Sequence, residues 1–205
     1  QTLKNAFKID RIAHAYMLTG VRGIGKTTTA RLLARALNYK TDLIDKPNIE
    51  MSETGYHCLE IMDSRHIDVI EMDAASRTGI ADIREIIDSI NYSPSSARFK
   101  IYIIDEIHML SKAAFNGLLK TLEEPPSHVK FIFATTEVQK VPLTILSRCQ
   151  RFDLRRFDND LVRSLLLKVC SKENVKIDDS VIGLISRASG GSARDSLSLL
   201  DQAIA

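Results

Sequence analysis

The sequence predicts an α/β domain, with a five-stranded parallel sheet flanked by helices, followed by a small helical domain. Three observations carry this. Short β-prone runs alternate with helical patterns along the first three quarters of the chain. Runs such as IYII and FIFA are apolar throughout rather than alternating, as in strands covered on both faces. After about Phe157 the β-prone runs stop while the 3.6-residue period continues. The domains are accordingly placed at 1–156 and 157–205.

Strands are expected over 16–19, 68–72, 101–105 and 131–135, with a weaker one over 151–154. Ala30, Leu33, Ala34 and Leu37 form the apolar stripe of the helix after the first strand. Ile80, Ile83, Ile87 and Ile90 form another, stopped before Pro94. Phe115, Leu118, Leu119 and Leu122 form a third, ended by Pro125-Pro126. In the second domain Val162, Leu165, Leu166 and Val169 make one stripe, and Val181, Leu184, Ile185 and Ala188 the next. Gly190-Gly191 then breaks the chain, and Ser192 with Asp195 three residues on reads as the capping pair of a last helix. Residues 39–66 are polar and aperiodic, an excursion expected either to be held by packing of residues such as Leu43, Ile44, Ile49, Leu59 and Ile61 or to be mobile.

The composition narrows the function classes. Lys+Arg 28 against Asp+Glu 26 gives a net charge of +2, so any nucleic-acid surface must be local. No apolar run exceeds about four residues, far short of the roughly 18 that a membrane span needs. The opening QTLKNAFKID lacks the apolar core of a signal peptide. Three cysteines without a CxxC argue against a disulfide framework. Together these point to a cytoplasmic protein with no membrane partner.

The chemistry is carried by a few motifs. Gly20-Val21-Arg22-Gly23-Ile24-Gly25-Lys26-Thr27 matches G-x-x-x-x-G-K-[ST], between a predicted strand and a predicted helix. Its glycines let backbone N–H groups face phosphate oxygens at a helix N-terminus. Lys26 supplies a cation for the β- and γ-phosphates, and the Thr27 hydroxyl can ligate Mg²⁺. Asp105 and Glu106 end an apolar strand: the first can reach the metal shell, usually through water, and the second can polarise the attacking water. The cofactors so expected are ATP and Mg²⁺. Thr135 and Thr136 end the next strand, and either hydroxyl could orient the γ-phosphate or the water. Arg148 ends a short helical stretch started by Pro142, and its guanidinium fork suits phosphate oxygens.

These motifs, with their surroundings, resemble the AAA+ clamp-loader ATPases, P-loop NTPases whose α/β domain is followed by a small helical lid. The resemblance rests on HAYMLTGVRGIGKTTTARLLARALN, DVIEMDAASRTGIADIREI, FKIYIIDEIHMLSKAAFNGLLKTLEEPPSHVKFIFATTE, VPLTILSRCQRF and GGSARDSLSLLDQAIA. It implies ATP hydrolysis by one subunit of a hetero-oligomeric ring that loads a sliding clamp on primed-template DNA. That ring belongs to a DNA polymerase holoenzyme whose polymerase site is on another subunit. It further implies that Gly20, Gly23, Gly25, Lys26, Thr27 and Thr28 bind nucleotide, and that Thr136 is the sensor-1 residue. Arg148 would act in trans on the neighbour's ATP, and Arg194 would be the sensor-2 residue of the lid. Arg77, Lys120 and Thr144 fall at positions that contact duplex DNA in the family. The family's N-terminal segment, collar and tail, through which the polymerase core is engaged, are expected outside this chain.

One departure concerns metal. Family members usually carry a four-cysteine zinc module after the P-loop helix. The matching places here are Tyr39, Ser52, Gly55 and Cys58, so only one thiol remains. His57 and His66 could be ligands, but a closed structural site needs about four, and no zinc is expected. The alternatives to a clamp loader are another AAA+ DNA motor, of the branch-migration or initiator type, and a non-hydrolysing clamp-loader subunit. The SRC triplet and the LLKTLEEPP run speak against the first. Intact Lys26, Thr27, Asp105 and Glu106 speak against the second.

Overall fold

The computed structural model describes residues 2–9 and 11–204. These form two compact units. One comprises the chain up to Thr19 together with Thr27–Phe152, and the other comprises Gly20–Lys26 together with the chain from Asp153 onward.

In the α/β unit, α1 (Thr2–Lys8) leads to β1 (Ala15–Thr19), and α2 (Lys26–Leu37) follows the P-loop. A short α3 (Cys58–Met62) lies in the excursion, before β2 (Val69–Asp73) and α4 (Ile80–Ile90). Next come β3 (Lys100–Asp105), α5 (Lys112–Glu123), β4 (Val129–Thr135), α6 (Leu143–Leu146) and β5 (Gln150–Asp153). The sheet order is β2-β3-β4-β1-β5. The β2–β3, β3–β4 and β1–β4 pairs are parallel, with Ala15 opposite Phe131 and Asp73 opposite Asp105. Each observed strand lies within two residues of its expected bounds.

Alternate residues of the central strands enter two separate cores, which is why their runs are apolar throughout. Tyr16, Leu18, Ile101, Ile103, Ile132 and Ala134 pack with Ala30, Leu33, Ala34 and Leu37 of α2. Met17, Tyr102, Ile104, Phe131 and Phe133 pack on the other face against α4, α5 and α6. Phe131 and Phe133 are fully buried and stack with centroids 5.6 Å apart, so truncating either to Ala would cost about 3–5 kcal/mol. On α4, Ile86 is buried beside Ile83 and Ile90, and joins the stripe read from the sequence.

In the second unit α7 (Asn159–Glu173), α8 (Asp179–Ala188) and α9 (Ala193–Ile204) surround Val162, Leu166, Cys170, Ile182, Ile185 and Leu200. The α8 stripe corrects the sequence reading. Leu184 is 59% exposed and Ala188 is exposed, while Ile182, Ile185 and Ser186 face inward. The buried Ser186 hydroxyl donates to the Asn159 carbonyl, which makes a polar residue acceptable in that stripe. Ser192 does cap α9, accepting the Asp195 N–H at 3.2 Å.

Candidate functional site

Gly20–Lys26 of the P-loop belong to the helical unit. Gly23 and Gly25 have φ of +80° and +88°, the left-handed region that glycine tolerates. At Gly23 space is also limiting, because a Cβ would fall 2.1 Å from the Ser192 Oγ. The Gly23 carbonyl accepts the Arg194 N–H at 3.2 Å, so the first turn of α9 is tied to the loop, while the Arg194 side chain is exposed. Lys26 is buried, and its ammonium donates to the Gly20 and Val21 carbonyls at 3.0 and 3.1 Å. Thr28 is exposed in the first turn of α2.

In the α/β unit the acid pair sits at the end of β3. The Thr27 hydroxyl donates to Asp105 Oδ2, and Asp105 Oδ1 accepts the Glu106 N–H at 2.9 Å. Glu106 has φ +46° and ψ +45°, a conformation costing a non-glycine residue on the order of 1 kcal/mol. It turns the side chain toward the end of β4, where Glu106 Oε2 accepts both the Thr136 N–H at 3.0 Å and the Thr136 hydroxyl at 2.9 Å. Of the two strand-end threonines, then, Thr136 meets the carboxylate. Thr135 is fully buried and its hydroxyl lies 2.9 Å from His108 Nδ1.

Two further residues of this cluster escaped the sequence reading. His108 lies two residues past Glu106 in a single helical turn (107–109), its side chain 6% exposed and 3.3 Å from Glu106 Oε2. Its signal was a lone histidine close behind an acid pair. Arg31, on α2, forms a two-pronged ion pair with Glu71 of β2, at 2.8 and 2.7 Å. Hydrogen bonding to Arg31 draws the Glu71 carboxyl below its ordinary value, and the same bond raises Arg31. This pair fastens α2 to the strand that precedes α4.

Arg148 is not part of this cluster's hydrogen bonding. Its guanidinium donates to the Thr144 carbonyl at 2.7 Å and to Glu123 at the end of α5 at 2.6 Å, on an exposed surface. Arg77 after β2, Lys120 on α5 and Thr144 on α6 are likewise exposed. Among the described residues no group of three His, Cys, Asp or Glu side chains is arranged to hold a metal. The hydroxyl of Thr27 and carboxylate of Asp105 nevertheless put two hard oxygen donors together, which suits Mg²⁺ completed by phosphate and water.

In the excursion the four zinc-module places are filled otherwise. Tyr39 is buried, its hydroxyl donates to the Glu53 carbonyl at 3.1 Å, and its ring lies 3.1 Å from where a Gly55 Cβ would be. Cys58 is buried at the start of α3, and Ser52 is exposed. His66 Nδ1 accepts the Asp68 N–H, so His66 Nε2 carries the proton that it donates to His57 Nδ1 at 2.9 Å. Burial and the neighbouring His66 lower the His57 pKa. Leu43 and Leu59 are 89% and 68% exposed, contrary to the packing expected of them.

The chain matches known proteins along its length. Residues 1–158 match a family model described as DNA polymerase III, delta subunit, and residues 161–205 match the ATPase lid domain of the DNA polymerase III clamp loader subunit. It is 49% identical over 203 residues to the DNA polymerase III subunit tau of Escherichia coli (strain K12), covering 99% of this chain and 31% of that protein. It is 46% identical over 204 residues to the tau subunit of Bacillus subtilis (strain 168), covering 100% and 36%. The chain therefore spans about a third of the length of these curated relatives. Among solved structures it resembles the Thermotoga maritima RuvB Holliday junction branch migration motor, with TM-score 0.67, 19% identity, and coverage of 98% and 58%. It also resembles a DNA polymerase III gamma subunit-related protein of the same organism, with TM-score 0.59, 22% identity, and coverage of 98% and 58%. At these identities the structural likeness shows the AAA+ fold.

Proposed function

The chain belongs to the gamma/tau family of DNA polymerase III clamp-loader subunits, and from that we propose that it binds and hydrolyses ATP to drive loading of a sliding clamp onto primed DNA. The observation that carries the ATPase reading is the direct contact of the P-loop threonine, Thr27, with Asp105, and the position of Glu106 beside it. A subunit that only bound its neighbours would have no use for the second carboxylate.

In this reading the backbone N–H groups of the P-loop and the Lys26 ammonium hold the triphosphate. Lys26 exchanges two neutral carbonyls for phosphate oxygens, and such charge-assisted bonds are the stronger kind. Thr27 and Asp105 would hold Mg²⁺, which would supply Lewis-acid neutralisation of phosphate charge. Glu106 takes a proton from the water whose oxygen bonds to the γ-phosphorus as the bond to the ADP oxygen breaks. Thr136 orients that carboxylate as sensor 1. Arg194, on α9, senses nucleotide in its own subunit, and Arg148 neutralises transition-state charge in the adjacent one. Exposed Arg77, Lys120 and Thr144 contact DNA phosphates, positioning without reading sequence.

The test is reconstitution of the full-length protein with its partner subunits, the clamp and primed DNA. ATP-dependent loading is expected, with hydrolysis stimulated by clamp and primed DNA, and both lost in Lys26→Ala. Stimulation by four-way junction DNA in their place would favour a branch-migration motor.

A further inference from the structure

Resting on that ATPase reading, we infer that Arg31 is a positioning residue for the Mg²⁺ site. With Glu71 it holds α2 in register on the sheet, so that Thr27 stays opposite Asp105. The Thr27 hydroxyl on Asp105 Oδ2 and the Arg31 fork on Glu71 form two rungs between helix and sheet. Thr27 and Arg31 are four residues apart, a rise of about 6 Å along a helix. Asp105 lies beside Asp73 in the parallel pair of β2 and β3, and Glu71 is two residues before Asp73. Two residues of parallel strand span about 6.6 Å, so the two spacings nearly coincide. The Asp105 charge adds to the rise in Arg31 pKa that the bond to Glu71 causes, which places the two rungs within electrostatic reach of each other.

Ala30, Leu33, Ala34 and Leu37 also hold α2 to the sheet, through apolar contact. Such packing resists separation, but it is non-directional and sets no exact register. A two-pronged guanidinium–carboxylate pair fixes both distance and plane. Glu71 is steadied in turn by the Ser64 hydroxyl, which donates to Oε2 at 3.0 Å. Register matters most at the other rung. Lys26 and Thr27 ride on α2 with the loop that precedes it, whereas Asp105 ends β3. A slide or rotation of α2 is therefore felt where Thr27 meets Asp105. Mg²⁺ demands near-ideal octahedral geometry and is sensitive to displacement of either oxygen donor.

The experiment measures the affinity of the full-length subunit for a non-hydrolysable ATP analogue, in Mg²⁺ and again in EDTA. The variants are Arg31→Met, Arg31→Lys and Glu71→Gln. Affinity in EDTA is expected to stay within about twofold of wild type, while the gain on adding Mg²⁺ falls about tenfold, as when a residue that orients a metal ligand is lost. The sign of the change separates positioning from charge. A guanidinium near Asp105 repels a divalent cation, so removing its charge alone would enlarge the Mg²⁺ gain in Arg31→Met. Arg31→Lys keeps the charge without the fork, and its Mg²⁺ gain should fall as well. Glu71→Gln breaks the same contact from the strand, and combining it with Arg31→Met should add little. An unchanged or enlarged Mg²⁺ gain in the folded variants, or equal weakening in Mg²⁺ and EDTA, overturns the inference. Binding of the analogue that survives Lys26→Ala in both conditions overturns the ATP-site reading itself, and the inference with it.

Discussion

Single carboxylates in this protein differ in role because their partners differ. Glu106 accepts from the Thr136 hydroxyl and amide, and Glu106→Gln should keep ATP affinity while turnover falls at least 100-fold, the usual contribution of a general base. Nucleotide-binding titrations beside steady-state hydrolysis check it, and turnover within a few-fold of wild type would remove Glu106 from the chemistry. Asp68, just before β2, is 1% exposed and has a structural task. Burial alone would raise its pKa, but the N–H groups of Ala97, Ser95 and Ser96 and the Ser96 hydroxyl outweigh it, and the net shift is downward. A lowered folded pKa means stability that is complete above the ordinary carboxylate range and lost as pH falls through the folded value. Asp68→Asn should therefore be destabilised by about 2–4 kcal/mol at neutral pH, with the gap to wild type closing below about pH 4 in denaturant titrations. Lys26, Thr27, Asp105 and Glu106 were legible because the chemistry fixes residue types at fixed spacings. His108 and Arg31 were not, since what matters in them is which distant strand end or strand they meet.

At the scale of elements, the strands and the helices against the sheet were readable because burial on one or two faces imposes a period. The α8 stripe was misphased because Ser186 counts as polar in a pattern, yet its hydroxyl is satisfied by a carbonyl. The 39–66 excursion gave no pattern because its order comes from individual contacts, among them buried Tyr39 against Gly55 and the His57–His66 pair. Purified protein should contain no stoichiometric zinc by elemental analysis, and chelators should leave its thermal unfolding unchanged. Tyr39→Ala should remove the packing that stands at a metal-ligand place and cost about 3–5 kcal/mol, as large buried side chains do. ATP affinity should be unaffected, because none of the proposed phosphate-binding residues lies in the excursion. Weakened ATP binding in a folded Tyr39→Ala protein would contradict this separation.

At the scale of the whole molecule, the proposed chemistry is not complete within one chain. Arg148 is exposed and paired with Glu123 of its own subunit, an exposed pair worth little by itself. Arg148→Ala should leave ATP binding by its own subunit intact and slow hydrolysis in the adjoining site by roughly 10³-fold or more. Mixed rings check this: placing Arg148→Ala beside a Glu106→Gln subunit should silence their shared interface, and losses that track only same-chain defects would exclude action in trans. The sheet order carries a different consequence, for how the protein is made. β1, which leaves the ribosome well before β4, pairs with it through residues as far apart as Ala15 and Phe131. At about 5–20 residues per second, translation keeps the apolar strand AYMLT waiting on the order of ten seconds for that neighbour. The nascent chain must therefore remain soluble with this buried strand unpaired to β4, which makes the interval before residue 135 emerges the window in which a chaperone would matter.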